Sequence, residues 1–502
     1  MSVFLGIDIG TTHVKVLAYT SGSGAVLEDK ETYALHQPVP GFCEQDPREI
    51  LAAWEAVMER TFRRLDARQV TAACFSSAYH SILAVDAAGE PITPLITWAD
   101  TRSEAYAREL AESGRAHALF QRTGTPVHPM SPLCKIAWIR DQQPEIFTRA
   151  RKFLSIKEFI WWQLFGQYEV DYSVASASGL FNLQERTWDT SAMAYCGLDP
   201  ARLGRPVSVL HARTGPAGRY RQRWNLPADV LFFIGSGDGA LANLGSGAIG
   251  PGQGALTIGT SGAVRVASQT ARLDPAGRLF TYRMTDDWFV QGGAINNGGI
   301  ALQWFLETLG PPGLSPDSLQ VGTLLEELTQ VPAGSGGLVF LPYLLGERSP
   351  VWDAQARGAF IGLRLGHTRR HLLRAVLEGI CFSLRQVTAL LEAMGPLHTL
   401  HATGGFTQSP FWVQLLADIL DKEIRVASEA DASAMGAVFL AMRGAGWISD
   451  WQQIASLLPA GTLYRPSSGQ HARYSENFRV FEHLYEKLQD DFRHLDRSPK
   501  KS

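Results

Sequence analysis

One short pattern occurs twice in this chain of 502 residues and constrains the fold more than any other feature. Asp8-Ile9-Gly10-Thr11-Thr12 has a counterpart in Thr257-Ile258-Gly259-Thr260-Ser261, with three of the five positions identical. Apolar residues typical of strands flank both copies, so each predicts a strand–turn–strand unit. Because the copies begin near residues 1 and 250, the repetition predicts a duplicated domain.

The segments after the first copy alternate between strand and helix patterns. Val3–Ile9 and Val14–Tyr19 predict a hairpin, which is not the strand–loop–helix unit of a P-loop or Rossmann fold. Pro47 opens a stretch with apolar residues at helical spacing, and Val70–Phe75 predicts another buried strand. This interleaving predicts an α/β architecture.

The length of the chain agrees with two domains, since a single hydrophobic core rarely grows beyond about 250–300 residues. We expect one domain at residues 1–248 and a second at residues 249–502. The apolar spacing in Ser475–Leu495 predicts an amphipathic helix that closes the second domain.

Composition and charge exclude several classes of protein. A net charge of -3, from 46 basic and 49 acidic residues, argues against a nucleic-acid partner. No apolar run has the length of a membrane span, and no leader pattern precedes Asp8. Five scattered cysteines without a CxxC pair argue against a disulfide framework or a cysteine zinc site. We therefore expect a cytoplasmic protein without a membrane partner.

The first copy of the repeat combines groups that suit a phosphate and a metal ion. Its glycines allow close backbone approach, and Thr11 and Thr12 supply hydroxyl hydrogen bonds. Asp8 could hold Mg²⁺, and Lys15 on the following strand could add a positive charge. The alternative is a plain hairpin turn, which leaves an aspartate inside an apolar strand unexplained.

Asp238 lies in the glycine-rich segment Gly235-Ser236-Gly237-Asp238-Gly239, directly after an apolar run. Glycines clear space around its carboxylate, which suits a general base that accepts a proton from a substrate hydroxyl. The alternative is an aspartate that stabilises an Asx-turn in a loop.

A third group of residues has the chemistry to bind a polyol. Trp98, Asp100 and Arg102 provide an aromatic face, a carboxylate and a guanidinium after an apolar run, although they could equally form a salt-bridged helix start. Tyr79 and His80 follow another strand, where a lone histidine is more often structural.

Several common nucleotide and hydrolase motifs are missing from the sequence. It contains no GxxxxGK[ST], HExxH or GxSxG. Gly245-x-Gly247-x-x-Gly250 matches a dinucleotide fingerprint by letter, but it does not lie in the first βαβ unit of the chain. A Rossmann dehydrogenase is therefore disfavoured.

Two longer segments carry a family resemblance. Residues 130–142 and the segment from Ala359-Phe360-Ile361-Gly362-Leu363 to Glu378 are similar to the two signatures of the FGGY family of carbohydrate kinases. The resemblance covers nearly the whole chain. It implies two duplicated ribonuclease-H-like domains, as in the actin, hexokinase and heat-shock ATPase clan, with an active site in the cleft between them.

The resemblance also implies roles for individual residues. ATP and Mg²⁺ would be the cofactors, Asp8 would hold Mg²⁺ through water, and Asp238 would be the catalytic base. Ser409 stands where some relatives carry asparagine. The residues implied to contact the nucleotide are Asp8, Thr11, Thr12, Lys15, Gly259, Thr260, Gly299, Gln303, Gly405 and Ser409.

For the sugar, residues 76–81 and 123–130 are most similar to the gluconokinase branch of the family. Xylulose kinases usually carry Gln-Met-His-Gly at positions 78–81, so Tyr79 departs from their pattern. The resemblance implies phosphorylation of gluconate, and the family implies a homodimer. The predicted substrate residues are Tyr79, His80, Trp98, Asp100, Arg102 and His128.

Two alternatives remain. The closer one is a kinase of the same family that acts on xylulose, another ketose or a polyol. The other is a non-catalytic sugar sensor of the ATPase clan, although an intact Asp238 and two intact turns argue against a retired site.

Overall fold

The structure is a computed structural model that describes residues 2–311, 319–426 and 431–495. It divides into two compact units. The first unit contains Met1–Ile249, Ala267–Gln291 and Ala430–Leu457, and the second contains the remaining segments. Two later parts of the chain therefore return to the first unit, and the predicted limit between residues 248 and 249 stays a prediction.

The strands of the described residues are numbered in chain order. They are β1 Val3–Ile9, β2 His13–Thr20, β3 Gly24–Thr32, β4 Glu44–Gln45, β5 Val70–Ser77, β6 Leu83–Val85, β7 Leu95–Ile96, β8 Lys152–Leu154, β9 Glu169–Asp171, β10 Phe181–Asn182, β11 Thr187–Trp188, β12 Arg205–Val207, β13 Ala212–Arg213, β14 Leu231–Gly237, β15 Gln253–Ile258, β16 Gly262–Ser268, β17 Phe280–Arg283, β18 Phe289–Ile295, β19 Val339–Leu341, β20 Ala359–Ile361, β21 Thr399–Thr403, β22 Glu423–Val426 and β23 Thr462–Tyr464.

The helices are numbered in the same way. They are α1 Pro47–Arg64, α2 Glu104–Glu112, α3 Arg115–Thr123, α4 Pro132–Gln142, α5 Pro144–Arg149, α6 Ile156–Phe165, α7 Tyr172–Ser176, α8 Thr190–Cys196, α9 Gly218–Trp224, α10 Asp238–Gly245, α11 Gly299–Leu309, α12 Leu319–Glu326, α13 Arg369–Met394, α14 Pro410–Leu420, α15 Ala432–Gly444, α16 Ile454–Leu457 and α17 Ser468–Leu495.

The main sheet of the first unit has the order β13-β14-β5-β1-β2-β3. β1 and β2 form the predicted antiparallel hairpin, while β5 and β14 run parallel to β1. The helix predicted to open at Pro47 is α1, where the Asp46 side chain accepts a hydrogen bond from the Arg48 amide. Trp54 of α1 packs in the core that also contains Phe75 of β5. The carboxyl ends of β1, β5 and β14 meet at one edge of this sheet.

The main sheet of the second unit repeats this plan. It includes the order β18-β16-β15-β21-β22-β23. The hairpin of β15 and β16 is antiparallel, and β21 and β22 run parallel to β15. In each unit a hairpin is therefore followed by two parallel strands on one side. The predicted α/β class with two related domains is confirmed.

A bulge in β14 shapes the edge of the first sheet. Phe233 pairs with Cys74 and Ser236 pairs with Ser76, so β14 has one more residue than β5 between these pairs. Gly235 lies in the bulge with φ 76°, and a Cβ there would lie 1.7 Å from the Phe75 carbonyl oxygen. Bulges re-aim the residues that follow them. Here the next residues are Ser236, Gly237 and Asp238.

Two further findings concern the helices. The closing helix α17 begins at Ser468, earlier than the predicted Ser475, and ends at Leu495 as expected. In the part of the chain that the structure describes, no helix combines the length and apolar character needed to cross a membrane.

Candidate active site

Asp8 is the buried carboxylate of the first turn. Its side chain lies near the end of β1, only 6% of the residue is exposed, and Oδ1 accepts no hydrogen bond from the residues that the structure describes. Burial raises the pKa of Asp8 well above its usual range, and the carboxylates of Asp431 and Asp238 raise it further. Lys15 acts in the opposite direction. The turn therefore holds a carboxyl group that would be stabilised by a nearby cation.

Asp431 is a residue that sequence reasoning missed. It caps α15, with Oδ1 accepting from the Ser433 and Ala434 amides and Oδ2 accepting from Lys15 Nζ at 3.0 Å. α15 packs tightly on β1, because a Cβ on Gly6 would lie 2.0 Å from the Ala434 carbonyl oxygen. An aspartate before a helix was the only sequence signal, and it did not reveal the distant partner strand.

Asp238 is the first residue of α10, directly after the bulged strand β14. Its Oδ1 accepts a hydrogen bond from the Gly239 amide at 2.6 Å. Its carbonyl oxygen accepts from Ser433 Oγ at 3.1 Å, so α15 contacts the segments of both carboxylates. The structure thus brings Asp8, Asp238 and Asp431 into electrostatic contact within the first unit.

These side chains fit a magnesium ion of the kind that keeps most of its own water. Oδ1 of Asp8 is buried and accepts no hydrogen bond within the described part of the chain, and two further carboxylates raise the pKa of Asp8. In residues 2–311, 319–426 and 431–495, no three His, Cys, Asp or Glu side chains form a metal cage. Mg²⁺ is usually held by one or two carboxylates together with water and substrate phosphates, which agrees with this arrangement.

A narrow pocket, called the cavity below, lies beside the first turn. Its lining includes Gly10, Thr11, Gln45, Tyr79 and Trp98. Trp98 Nε1 donates to Thr11 Oγ1 at 3.0 Å, and Gln45 Nε2 donates to the Thr11 carbonyl at 2.7 Å. The predicted phosphate turn is therefore fastened to the wall of the cavity, and the accepting Thr11 hydroxyl can still donate its own hydrogen.

Tyr79 links this cavity to the segment of Asp238. Its hydroxyl forms a 2.8 Å hydrogen bond with Ser173 Oγ, which also accepts from the Gly237 amide at 3.2 Å. A Cβ on Gly237 would lie 2.1 Å from the Tyr79 ring, so the ring packs on the backbone next to Asp238. His80 has φ 66°, and its Nδ1 is hydrogen-bonded to the Ala177 carbonyl at 2.8 Å.

The other predicted substrate residues have contacts of their own. Asp100 is buried and pairs with Arg102 at 2.7 Å, and its Oδ2 accepts from the Cys43 amide. The Arg102 guanidinium stacks on Phe42 at 3.8 Å. These contacts agree with the ion-pair alternative, and a substrate role for both residues stays a prediction. Nδ1 of His128 accepts from an amide two residues later in the chain.

Lys15 and Thr12 are also engaged. Lys15 pairs with Glu28 at 3.3 Å as well as with Asp431. The exposed Thr12 hydroxyl lies 3.0 Å from Nδ1 of His13. Their predicted contacts with phosphate stay predictions.

In the second unit the predicted nucleotide residues gather around the turn after β15. The Gly299 amide, at the start of α11, donates to the Gly259 carbonyl at 2.7 Å, and the Gly298 amide donates to the Thr260 carbonyl at 3.1 Å. Gly259 is exposed, and a Cβ there would meet open space. Such an accessible glycine backbone suits close approach by a phosphate.

Gly404 and Gly405 follow the neighbouring parallel strand β21. A Cβ on Gly404 would lie 2.2 Å from the Ile258 carbonyl oxygen, so this turn contacts the end of β15. Ser409 caps α14 by accepting from the Trp412 amide at 3.3 Å. Gln303 is exposed on α11 and donates to Glu307. The predicted residues of the second unit thus share one sheet edge, with Gln303 one turn further along its helix.

Comparison with known proteins now identifies the family. Residues 3–245 match the N-terminal domain of the FGGY family of carbohydrate kinases, and residues 254–445 match its C-terminal domain. The chain belongs to the FGGY family of carbohydrate kinases. The predicted resemblance is confirmed, and so is the prediction that the protein is a carbohydrate kinase acting on a small molecule.

Gluconate kinases and xylulose kinases are both among the relatives of this kinase. A gluconokinase from Bacillus subtilis (strain 168) is 37% identical over 98% of this chain and 97% of its own. The crystal structure of gluconate kinase from Lactobacillus acidophilus has a TM-score of 0.93 at 31% identity, over 98% of this chain and 99% of that one. The ligand-bound xylulose kinase of the same organism also has a TM-score of 0.93 at 31% identity, over 99% and 100% of the chains.

Proposed function

We propose that this kinase transfers the γ-phosphoryl group of ATP to the primary hydroxyl of gluconate, giving 6-phosphogluconate. The observation that carries the proposal is 37% identity to a gluconokinase along 98% of the chain. The similarity of residues 76–81 and 123–130 to the gluconokinase branch supports it. The buried carboxylates around Asp8 support a reaction that depends on Mg²⁺.

Asp238 is the general base of the proposed reaction. The hydroxyl proton passes to its carboxylate while the substrate oxygen forms the new bond to phosphorus and ADP leaves. The Gly239 amide and Ser433 hydroxyl fix the Asp238 segment before substrate arrives. Asp8 would hold Mg²⁺ through water, and the ion when bound would neutralise phosphate charge.

The proposal divides the binding residues between the two units. In the first unit the sugar contacts Tyr79, His80, Trp98 and His128, with Asp100 and Arg102 supporting the wall near Trp98. Phosphate contacts come from Thr11, Thr12 and Lys15. In the second unit the nucleotide contacts come from Gly259, Thr260, Gly299, Gln303, Gly405 and Ser409.

Xylulose is the second candidate substrate. It is favoured by the ligand-bound xylulose kinase, whose TM-score and identity equal those of the gluconate kinase structure. A site that pairs a carboxylate should reject neutral analogues, because each buried polar group left unpaired costs about 1–3 kcal/mol, or about 5- to 150-fold.

Steady-state rates at saturating Mg-ATP test the proposal. We expect kcat/KM for gluconate to exceed that for D-xylulose, L-ribulose and glycerol. A higher value for xylulose would replace the substrate and keep the kinase. Absence of phosphorylation with every sugar, alongside intact ATP binding, would support the sugar-sensor alternative.

A further inference from the structure

A buried lysine in the first family signature has no role in the proposed reaction. Lys135 lies on α4 with no exposed surface. Its Nζ donates to two backbone carbonyls, that of His80 at 2.6 Å and that of Thr97 at 2.7 Å. None of the ion pairs formed by residues 2–311, 319–426 and 431–495 includes Lys135. The buried amine of Lys135 thus donates hydrogen bonds to two backbone carbonyls.

Burying a lysine amine costs free energy, so we expect its contacts to have a compensating role. Burial lowers the pKa of Lys135 to about 7, Asp100 raises it and Arg102 lowers it. An apolar side chain of similar length would avoid the cost of desolvating an amine. It would leave two buried carbonyls without a donor, which is also unfavourable. The ammonium and the neutral amine both carry enough hydrogens for two bonds, so the contacts do not depend on one protonation state.

The first carbonyl controls one wall of the cavity. His80 has φ 66°, a conformation that residues with a Cβ rarely adopt without support. Lys135 holds its carbonyl, and Ala177 holds its ring through Nδ1. The preceding residue is Tyr79, which lines the cavity and packs on Gly237. The bond from Lys135 therefore fixes the direction in which the Tyr79–His80 segment leaves β5.

The second carbonyl, that of Thr97, belongs to another part of the cavity wall. Thr97 lines the cavity, and the next residue is Trp98, whose Nε1 donates to Thr11 Oγ1 at 3.0 Å. A continuous series of contacts thus runs from Lys135 through Thr97 and Trp98 to the predicted phosphate turn. The two wall segments are separate in the sequence, and Lys135 donates a hydrogen bond to a backbone carbonyl of each.

The helix that carries Lys135 is itself fixed. Ser131 caps α4 by accepting from the Leu133 amide, and Ser131 Oγ donates to the Ser178 carbonyl at 2.8 Å. The Leu133 amide also donates to the Ser178 carbonyl, at 3.1 Å. A rigid helix start therefore presents the amine to both walls.

We propose that Lys135 is a positioning residue that sets the separation of the Tyr79–His80 and Trp98 walls and thereby the affinity for the acceptor sugar. This inference rests on the proposed function, since it takes the cavity beside Thr11 as the sugar site. Lys135 does not touch substrate in this role. It acts through the two carbonyls, so its loss changes sugar binding and leaves nucleotide binding to the second unit intact.

The test compares two lysines with the same bonding pattern. Lys152 Nζ also donates to two backbone carbonyls, those of Ala201 and Leu203, each at 2.8 Å. Neither acceptor lines the cavity. Lys135→Met thus removes two hydrogen bonds to backbone carbonyls near the cavity. Lys152→Met removes two hydrogen bonds of the same kind away from it. Lys135→Gln keeps a donor on a shorter side chain and serves if the methionine variant does not fold.

The measurements are KM for the sugar, KM for ATP and kcat, with whichever sugar the wild type uses best. For Lys135→Met we expect the sugar KM to rise about 10-fold or more, since an unmade buried hydrogen bond typically costs about 5- to 150-fold. KM for ATP should rise much less than KM for the sugar, because six of the ten predicted nucleotide residues belong to the second unit, and Lys135→Gln should show a smaller rise in the sugar KM.

Three results would overturn the role of Lys135: an unchanged sugar KM in a folded Lys135 variant, an equal rise in Lys152→Met, or a parallel rise in KM for ATP. The substrate proposal fails separately, in the wild type, if gluconate is not the preferred sugar. The Lys135 comparison then proceeds on the preferred sugar and keeps its meaning.

Discussion

The β1–β2 turn and the β15–β16 turn hold equivalent positions in their sheets but differ in charge. At the end of β1, Asp8 pairs in register with Lys15 and lies beside the parallel strand β5. At the corresponding place Thr257 lies beside Thr403 of β21, with their hydroxyls 3.2 Å apart. Arg265 donates to the Thr257 hydroxyl at 3.0 Å. One turn therefore gathers carboxylates, and the other gathers hydroxyls and a guanidinium.

The difference shows how two domains with the same strand order can have different functions. The strand order and the glycine turn are common to both units, because they follow from backbone sterics and pairing. The electrostatic character depends on side chains supplied by other elements, namely Asp238 from α10 and Asp431 from the cap of α15. Acid–base and metal chemistry are thus expected in the first unit, and recognition of a nucleotide by hydroxyls, backbone amides and a guanidinium in the second.

Asp238→Asn gives the largest effect expected from this contrast. The amide cannot accept the substrate proton, so kcat should fall about 10²–10⁴-fold, the usual contribution of a general base. The Kd for ATP should stay within about threefold, because Asp238 is not among the predicted nucleotide residues. Steady-state kinetics and calorimetric titration of nucleotide measure the two quantities.

Asp199→Asn is the matched control for this substitution. Asp199 is exposed and caps a short 3₁₀ helix at Pro200–Arg202. Its variant should retain kcat within about twofold, as surface substitutions usually do. If Asp238→Asn retained activity to the same extent, Asp238 would be a turn residue rather than the base.

Asp8→Asn should have the next largest effect. Replacing the carboxylate weakens the proposed magnesium site, and such changes typically cost about 10–100-fold in metal affinity or activity. We expect a lower kcat and a higher Mg²⁺ concentration for half-maximal rate. The same substitution removes the repulsion from Asp431 and Asp238, so the melting temperature should rise.

Thr257→Val makes the corresponding change in the second turn. It removes hydrogen bonds to Thr403 and Arg265 without altering any charge. The Mg²⁺ dependence should therefore equal that of the wild type, while the melting temperature should fall slightly. An equal shift in Mg²⁺ dependence for both variants would contradict the division of labour between the turns.

The sequence predicted the parts of this arrangement that depend on local pattern. The hairpin of Val3–Ile9 and Val14–Tyr19, the helix at Pro47 and the repeated turn follow from apolar spacing and glycine placement. The structure contains all of them, with the second strand at His13–Thr20. The α/β class was predicted for the same reason, whereas the family was predicted from the resemblance of two longer segments to its signatures. The roles assigned to Asp8, Asp238 and the nucleotide residues stay predictions.

Long-range contacts explain what the sequence could not predict. Asp431 reaches Lys15 because α15 returns to the first sheet and packs on Gly6, a contact that no local pattern reveals. Lys135 stood within a recognised signature, yet its function depends on the carbonyls of His80 and Thr97. Every residue has a backbone carbonyl, so the identity of the accepting residue does not reveal hydrogen bonds of this kind.

The second unit also contains a buried carboxylate near its turn, that of Glu347. The groups around Glu347 differ from those around Asp8. Glu347 accepts hydrogen bonds from the Asn296 amide and from Asn297 Nδ2 at 3.2 Å. These asparagines lead into Gly298, whose amide bonds the Thr260 carbonyl. Glu347 thus supports the turn through amide donors, whereas Asp8 faces other carboxylates.

Glu347 gives the smallest predicted effect, a change of stability with pH. Burial raises the pKa of Glu347 to about 7 from 4.5, although the surrounding amides act in the opposite direction. A carboxyl whose pKa is raised by folding stabilises the protein below its unfolded pKa, and this contribution is lost as pH rises through the folded value. Glutamine does not ionise, so Glu347→Gln does not lose stability in this way. The melting temperature of the variant minus that of the wild type should therefore increase by roughly 4 °C between about pH 5 and pH 8.

Glu169→Gln supplies the opposite case. Burial raises the pKa of Glu169, but hydrogen bonds from Arg213, Trp161 and Arg205 lower it further, to about 2. Its stabilising contribution is complete above its unfolded pKa and is lost only as pH falls toward 2. The melting-temperature difference between Glu169→Gln and wild type should therefore stay constant between about pH 5 and pH 8. Scanning calorimetry of the three proteins across this range measures both slopes. Parallel slopes for the two variants would mean that Glu347 is ionised in the folded protein at pH 5, and that amide donors outweigh burial beside the second turn.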